Sequence, residues 1–375
     1  MTQHDVIVVG GGIVGLAHAL AAARRGKKVL VLDRDAQANG ASIRNFGFVT
    51  VTGQEHGRVW TLAKRSAQIW RDVAAAAGIA IEQEGLLLVA QRPEAMAVIE
   101  AFLATDMGEG CQALSAGDIV ARHPMVQGAV GGLSSAHDVR VESRLAIPRL
   151  AHWLAEAHGV EFLYGVAVQD AGTGWVESTA GSHRAEAVFV CPGDDWATLF
   201  PDIYAAEGIT RCKLQMLRLA PPGWRLPAPV MSDLSMVRYL GYAALPEAVP
   251  LRARLEAEHA AALAEGIHLI VVQSADGSLV VGDSHDYAPT PDPFSSTAVD
   301  ALILETYREV LGAPPPVIGR WTGTYASAAG HSIVRTPVDG VRLVVVTSGT
   351  GASTSFALAE EVVGAFYGET RCTPG

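Results

Sequence analysis

Residues 6–33 read VIVVGGGIVGLAHALAAARRGKKVLVLD, and they carry the strongest fold signal in the chain. Residues 6–9 form a continuous apolar run, which is typical of a strand buried on both faces of a parallel sheet. A glycine-rich turn and an alanine-rich segment follow, and they predict a loop and then a helix from Val14 to Arg24 that Gly26 ends. Residues 29–32 predict a second buried strand. The stretch is therefore predicted to form one βαβ unit.

The glycine spacing within this unit predicts a dinucleotide site. Gly10, Gly12 and Gly15 follow the pattern G-x-G-x-x-G between a strand and a helix. The first glycine permits a tight turn, the second lets the backbone approach a pyrophosphate, and the third lets helix and strand pack closely. The N-terminus of the helix, at Ile13 and Val14, offers backbone N–H groups to the pyrophosphate.

Asp33, at the end of the second strand, indicates which dinucleotide binds. Its carboxylate would accept hydrogen bonds from the ribose hydroxyls, and its charge would repel a 2′-phosphate. FAD or NAD is therefore favoured over NADP. These residues alone leave both open, because both carry an adenosine with free ribose hydroxyls.

The rest of the chain predicts an α/β fold. A long loop is expected over residues 40–53, and alternating patterns over 212–290 predict antiparallel strands. Helices are predicted at 56–78, 95–103, 115–122, 145–157, 297–311 and 355–367, and further strands at 86–89, 160–163, 184–193 and 343–347. We expect a Rossmann-like FAD-binding domain (1–55, 145–211 and 318–375) interleaved with an antiparallel-sheet substrate domain (56–144 and 212–317).

Composition and charge exclude several classes of protein. The chain has 375 residues, 49% of them hydrophobic, and a net charge of −11, which argues against both disorder and a nucleic-acid partner. Asp5 and the clustered glycines argue against a signal peptide or membrane helix near the N-terminus. We expect no metal site and a cytoplasmic location, because the cysteines lack C-x-x-C spacing. These cysteines are Cys111, Cys191, Cys212 and Cys372.

Four dispersed segments carry a resemblance to a known family. They are residues 6–33, Ala41-Ser42 with Asn45-x-Gly47, Gly193 with Trp196, and Ser348-Gly349-Thr350-Gly351 before the last predicted helix. In this order they resemble the D-amino-acid oxidase family, which includes glycine oxidase and monomeric sarcosine oxidase. The resemblance implies an extended, noncovalently bound FAD, with the first glycine loop at its pyrophosphate and the last at its flavin. The cofactor-binding residues that it implies are Gly10, Gly12, Ile13, Val14, Gly15, Asp33, Arg34, Ala41, Ser42, Asn45, Phe46, Gly47, Val168, Gly193, Trp196, Ser348, Gly349, Thr350, Gly351, Ala352, Ser353 and Thr354.

A narrower resemblance and several departures bear on the substrate. Residues 41–48, 282–287 and 321–325 resemble a subgroup associated with aminophosphonate breakdown. Family members that oxidise glycine or D-amino acids carry an arginine for the substrate carboxylate where this chain has Tyr325, which disfavours a simple amino acid. Ser353 and Gly323 replace a lysine and the flavin-linking cysteine of sarcosine oxidases. Val280 replaces the lysine that assists oxygen reduction there. The resemblance therefore does not imply rapid oxidase activity, and the electron acceptor is left open between O2 and another compound.

Cationic and aromatic side chains are the candidates for substrate binding. A phosphonate dianion needs two or three cationic donors, and Arg44, Lys213, Arg238 and His285 are available. Tyr242 and Tyr325 are candidates to cap the pocket, although tyrosines are more often core residues, and Trp321 is expected to pack. The residues assigned to catalysis are Arg44, Asn45, Arg238, His285 and Tyr325.

Together these observations predict an FAD-dependent amine oxidoreductase. A hydride would pass from the carbon next to nitrogen to flavin N5, and the imine would hydrolyse to an aldehyde and an amine. The expected substrate is a small amine with an anionic head group, exemplified by 2-aminoethylphosphonate or its N-alkyl derivative. The alternatives are a glycine, sarcosine or D-amino-acid oxidase, a flavin-binding subunit without activity of its own, and an NAD-linked dehydrogenase. Both a monomer and a homo-oligomer remain open.

Overall fold

The computed structural model describes residues 4–369. The strands are β1 (Val6–Val9), β2 (Val29–Asp33), β3 (Phe48–Val49), β4 (Ile81–Ala90), β5 (Cys111–Ser115), β6 (Gly131–Val141), β7 (Glu161–Tyr164), β8 (Val168–Gly172), β9 (Trp175–Ser178), β10 (Gly181–Arg184), β11 (Ala187–Val190), β12 (Thr210–Leu219), β13 (Val230–Ser232), β14 (Ile270–Gln273), β15 (Leu279–Gly282), β16 (Asp286–Ala288), β17 (Val317–Arg335) and β18 (Val341–Ser348). The helices are α1 (Ile13–Ala23), α2 (Arg58–Ala77), α3 (Pro93–Leu103), α4 (Ala116–Arg122), α5 (Ser143–His158), α6 (Pro201–Ala206), α7 (Leu240–Ala243), α8 (Ala248–Glu258), α9 (Ala260–Ala264), α10 (Thr297–Leu311) and α11 (Gly351–Phe366).

The predicted βαβ unit lies within the parallel half of a 15-stranded sheet. Strand β1 pairs in parallel with β2 on one side and β11 on the other, and β7 and β18 extend the two edges of this group. Such strands are covered on both faces, which explains their continuous apolar runs. The sequence prediction of β1, α1 and β2 is confirmed.

The other half of the sheet is mainly antiparallel. Strand β17 pairs with both β12 and β18, and β12, β15 and β14 follow in antiparallel order. The expectation of antiparallel strands over 212–290 is incomplete, because β13 pairs in parallel with β4 and three helices, α7–α9, interrupt the region. Leu251 and Leu255, both buried and four residues apart, form part of a helical apolar face that alternation did not capture.

Four helices cover the parallel half. Buried residues of α1, α2, α5 and α11 share one apolar core with strands β1 and β2. Within it, the rings of Trp70 and Phe356 meet edge to face with centroids 5.1 Å apart. The α/β fold class is confirmed, whereas the division into two domains stays a prediction.

Two further observations concern the cysteines and the length of the apolar helices. Cys111, Cys191 and Cys212 are free thiols, whereas Cys372 lies outside the described residues. Between residues 4 and 369, no helix combines the length and the apolar character needed to cross a membrane.

His18, at the centre of α1, makes the stability of this core dependent on pH. Its ring is fully buried, 5.3 Å from that of Phe189, and its Nδ1 lies 2.7 Å from the carbonyl oxygen of Val14. Burial lowers the pKa of His18 to about 4. The unfolded chain therefore binds a proton near pH 6.5 that the folded chain resists, so folding loses stability as the pH falls through this interval.

We expect acid to destabilise the wild type more than His18→Gln. Between about pH 7.5 and about pH 5 the difference should be about 2 kcal/mol in the free energy of unfolding, measured by urea titration followed by circular dichroism. His56→Gln, at an exposed position, is the control and should keep the wild-type dependence. Equal acid sensitivity of wild type and His18→Gln would contradict the assignment.

Candidate active site

A cavity of about 620 Å³ collects residues from both halves of the sheet. The parallel half contributes Ile13, Val14, Gly193 and residues 348–353 to its lining. The antiparallel half and its loops contribute polar and charged side chains to the same cavity, namely Arg238, Tyr239, His268, Asp283, His285, Tyr287 and Tyr325. One ligand can therefore contact the glycine loops and these side chains together.

Close packing explains why the first loop has glycine at three positions. Gly10 has a φ of +104°, and a Cβ there would lie 2.3 Å from the carbonyl oxygen of Cys191. A Cβ at Gly15 would lie 1.8 Å from the carbonyl oxygen of Gly10, and one at Gly12 would lie 2.9 Å from Oγ of Ser42. The backbone of the loop and the start of α1 therefore approach the cavity without intervening side chains.

Asp33 is bound to the same loop. Its Oδ2 accepts the backbone N–H of Gly11 at 2.6 Å, and its Oδ1 accepts that of Asp35 at 2.8 Å. Arg34, next to it, forms an ion pair with Asp195 at 2.5 Å. The carboxylate thus lies beside the glycine loop, although it does not itself line the cavity.

The segment 41–48 forms a polar loop over the start of α1. Ser42 Oγ accepts the backbone N–H of Ile13 at 2.9 Å. The Asn45 amide donates to the carbonyl oxygen of Ala41 at 2.7 Å and accepts the N–H of Gly47 at 2.6 Å. Asn45, expected to take part in catalysis, therefore shapes this loop through its side chain while it also lines the cavity.

The second glycine loop is shorter than predicted. Helix α11 begins at Gly351, so residues 352–354 lie in its first turn rather than in a loop. Glycine, serine and threonine are weak helix formers, which is why the sequence placed the start of the helix later. Trp70 Nε1 donates to the carbonyl oxygen of Ala352 at 2.8 Å and holds this turn in place. The N-terminus of a helix, favourable for negative charge, therefore meets the cavity.

Two arginines line the cavity without a carboxylate partner. Arg44 donates to the amide oxygen of Asn39 at 3.0 Å, and Arg238 donates to the hydroxyl of Tyr287 at 3.0 Å. Among residues 4–369, no carboxylate oxygen lies within ion-pair distance of either guanidinium group. Lys213, the third expected cation, instead contacts Asp286 at 3.2 Å and does not line the cavity.

The two tyrosines expected at the pocket differ in position. Tyr325 lines the cavity, and burial raises its pKa, so it stays a neutral phenol. Tyr242 is a core residue that packs on Phe102 with ring centroids 4.7 Å apart, so its expected capping role is wrong. Trp321 packs as expected, and its Nε1 donates to the carbonyl oxygen of Arg44 at 3.1 Å.

A buried cluster of His268, Asp283 and His285 forms another part of the lining. Asp283 Oδ1 lies 3.2 Å from His268 Nε2, and its Oδ2 lies 3.7 Å from His285 Nε2. Burial lowers the pKa of His268 and lowers that of His285 to about 3, so both rings are neutral near pH 7. The sequence prediction named His285 alone. Asp283 lies two residues before His285 in the same segment, whereas His268 precedes β14, and no spacing motif joins all three.

Several residues expected to bind the cofactor lie outside the cavity lining. Trp196 stacks under the guanidinium of Arg211 at 4.0 Å, and Val168 begins the small sheet β8–β10. The expected residues that do not line the cavity are Gly10, Gly12, Gly15, Asp33, Arg34, Gly47, Val168, Trp196 and Thr354. The glycines of the first loop contribute by letting the backbone pack closely beside the cavity. Glycine is therefore required at these positions although the residues do not line the cavity.

Residues 5–365 match the family described as FAD dependent oxidoreductase (DAO), so the chain belongs to this family and is an FAD-dependent oxidoreductase. The site fits this cofactor. The first glycine loop and the N-terminus of α1 suit a pyrophosphate, and the N-terminus of α11 suits an anionic flavin ring. FAD is thus the dinucleotide, and the NAD-linked alternative is wrong. Noncovalent attachment stays a prediction.

Solved structures similar to this chain have the same fold. Glycine oxidase from Bacillus cereus superposes with a TM-score of 0.79 at 17% identity, over 98% of this chain and 96% of that one. L-proline dehydrogenase from P. horikoshii has a TM-score of 0.77 at 17% identity, over 99% and 95%. Iminodiacetate oxidase from Chelativorans sp. has a TM-score of 0.74 at 18% identity, over 98% and 97%.

A curated relative matches a short part of the chain. This relative, one of the subunits of opine oxidase from Rhizobium meliloti, is 42% identical over 74 residues, which is 19% of this chain and 19% of that protein. The match therefore spans about a fifth of the length of the relative.

We expect Gly15→Ala to weaken FAD binding by about 10-fold or more, because the new methyl group forces the loop backbone to move. The ratio of flavin to protein absorbance after dialysis measures the loss. Gly40→Ala is the matched control, since a Cβ there meets no atom within 4 Å, and it should retain FAD. Full FAD content in Gly15→Ala would show that the loop tolerates a side chain.

Proposed function

We propose that this enzyme oxidises a small amine that carries an anionic head group. The observation that carries the proposal is the pair of arginines, Arg44 and Arg238, that line the cavity without a carboxylate partner. A half-buried guanidinium group with no carboxylate within ion-pair distance is a favourable site for an anion, because the surrounding protein screens its charge less than water does. Asp283 attracts the Arg238 guanidinium group only from beyond that distance. The chain as a whole is acidic, so these two positive charges are a local feature.

The two positive charges of Arg44 and Arg238 favour an anion that both guanidinium groups can bind. A phosphonate dianion offers three oxygens, and a carboxylate offers two. The absence of an arginine at Tyr325 disfavours the arrangement expected for glycine or D-amino acids. We therefore place 2-aminoethylphosphonate and its N-alkyl derivative first, and glycine, sarcosine and D-amino acids second.

Bound FAD supplies the acceptor for a hydride from the carbon next to the amine nitrogen. The chain itself holds that carbon in place and keeps water away. Buried apolar side chains line the cavity, among them Phe46, Phe48, Leu214 and Ile270. Tyr325, neutral at ordinary pH, offers a hydroxyl to the amine or to the head group. After release, the imine hydrolyses in water to an aldehyde and an amine.

An anaerobic absorbance titration tests this proposal. We expect 2-aminoethylphosphonate or N-methyl-2-aminoethylphosphonate to bleach the oxidised-flavin band faster than glycine, sarcosine or D-alanine. Admission of air to the bleached protein then tests whether O2 or another compound accepts the electrons. A yellow protein that none of these amines bleaches would overturn the proposal.

Arg238→Met should raise the amine concentration that half-reduces the flavin by about 10- to 100-fold, because charge-assisted hydrogen bonds to the anion are lost. Arg44→Met is expected to act in the same direction. Arg122→Met, in an exposed ion pair on α4, serves as the control and should leave the titration unchanged. Wild-type affinity in both cavity variants would show that the anion binds elsewhere.

A second candidate is a subunit that oxidises a secondary amine bearing two carboxylates. The stretch that matches the opine oxidase polypeptide and the fold shared with iminodiacetate oxidase favour it. Two unpaired arginines also suit two carboxylates. Adding iminodiacetate and an N-carboxyalkyl amino acid to the titration distinguishes it from the first candidate. A flavin-binding subunit without activity of its own would be bleached by neither class of amine.

A further inference from the structure

The cluster of His268, Asp283 and His285 has the arrangement of a metal-ion site. One ligand atom from each residue lies within 4.8 Å of the others. His268 precedes β14, and Asp283 and His285 follow β15, so two neighbouring backbone segments hold the side chains. The cluster also lines the cavity, which leaves one side open to a ligand.

Hydrogen bonds fix which nitrogen of His285 carries the proton. Its Nδ1 lies 2.9 Å from the carbonyl oxygen of Gly266. A carbonyl oxygen only accepts, so Nδ1 carries the hydrogen atom. The lone pair of the neutral ring is therefore on Nε2, and it faces Oδ2 of Asp283 at 3.7 Å.

Ser235 Oγ contacts both the carbonyl oxygen and the ring of His268. It lies 2.9 Å from the carbonyl oxygen and 3.1 Å from Nδ1. When the hydroxyl donates its single proton to the carbonyl oxygen, Nδ1 of the ring donates to Oγ, and the ring lone pair is on Nε2. In that tautomer Nε2 faces Oδ1 of Asp283 at 3.2 Å, and a cation bound between them requires it.

The carboxylate of Asp283 is the third group of the cluster. Its side chain is 7% exposed, and Oδ1 is a buried oxygen without a hydrogen-bond partner among the described residues. The Nε2 lone pair of His285 and an unpartnered carboxylate oxygen thus lie in one buried cluster, an arrangement that a bound cation would stabilise.

The spacing suits a transition-metal ion. Zinc binds histidine nitrogen and carboxylate oxygen at about 2.0–2.1 Å, so tetrahedral ligand atoms lie about 3.3 Å apart. Oδ1 of Asp283 lies 3.2 Å from Nε2 of His268, close to this separation, whereas Nε2 of His285 lies 3.7 Å from the other oxygen, Oδ2, so small side-chain shifts would complete the geometry. The bonds from Nδ1 to Gly266 and Ser235 are the outer contacts that orient metal-binding histidines in known sites.

We propose that His268, Asp283 and His285 bind a divalent transition-metal ion of the zinc class, with its remaining coordination position open to the cavity. This departs from the expectation of no metal site, which rested on spacing in the sequence alone. An anionic group at the open position would offset the positive charge that the ion adds near Arg238. That anion-binding role rests on the proposed function, whereas the metal site itself does not.

Metal binding is tested without any amine. Untagged protein loaded with FAD is treated with a chelator, dialysed and titrated with Zn²⁺ by calorimetry, and its metal content is measured by mass spectrometry. We expect one equivalent to bind, with affinity reduced about 10- to 100-fold or more in Asp283→Asn and His285→Gln. His152→Gln, at an exposed position on α5, is the control and should bind like the wild type.

Low-temperature EPR of Co²⁺-loaded protein provides a second measurement. Addition of phosphonate or acetate should change the Co²⁺ spectrum if the open position takes an anion. The proposal is overturned if the wild type binds no stoichiometric metal, or if both cluster variants bind it as the wild type does. Flavin bleaching by amines is a separate measurement, so failure of the proposed function would be recognised independently. Circular dichroism and FAD content establish that each variant is folded.

Discussion

The pairing of the 19-residue strand β17 is the interaction on which the site depends. One edge of β17 pairs with β12, and the other pairs with β18. These backbone hydrogen bonds place the parallel group, with its glycine loops, and the antiparallel group, with its charged side chains, in one continuous sheet. Because Gly323 and Tyr325 lie on β17 and line the cavity, this strand also forms the wall that the two halves share.

Charge within the cavity differs from charge over the chain. The sequence is acidic overall, yet the cavity contains two arginines without carboxylate partners. Beside them, Asp283 is buried between two neutral imidazole rings. Electrostatic interactions are stronger in such an enclosed place than in water, so the arrangement selects a ligand by the positions of its charges. The anion-binding and metal-binding proposals use different parts of this arrangement.

Local patterns allowed much of the fold to be predicted. Strand β1, helix α1 and strand β2 follow from apolar runs and glycine spacing, because each depends on residues near in sequence. Predictions failed where contacts between residues distant in sequence determine the local structure. At the start of α11, for example, Trp70 of α2 holds a turn of weak helix formers in place. Tyr242 was misplaced for the same reason, since only the folded chain brings it against Phe102.

The βαβ unit, the glycine loop and a dinucleotide as the ligand follow from the amino-acid sequence alone, because close backbone approach requires glycine at particular positions whatever surrounds them. The sequence also identified Arg44, Arg238, His285 and Tyr325, which do line one cavity. That His268 joins Asp283 and His285, and that Lys213 pairs with Asp286 outside the cavity lining, became known only from the folded chain. Each of these contacts joins segments distant in sequence, and register and packing within the sheet, rather than any local pattern, bring them together.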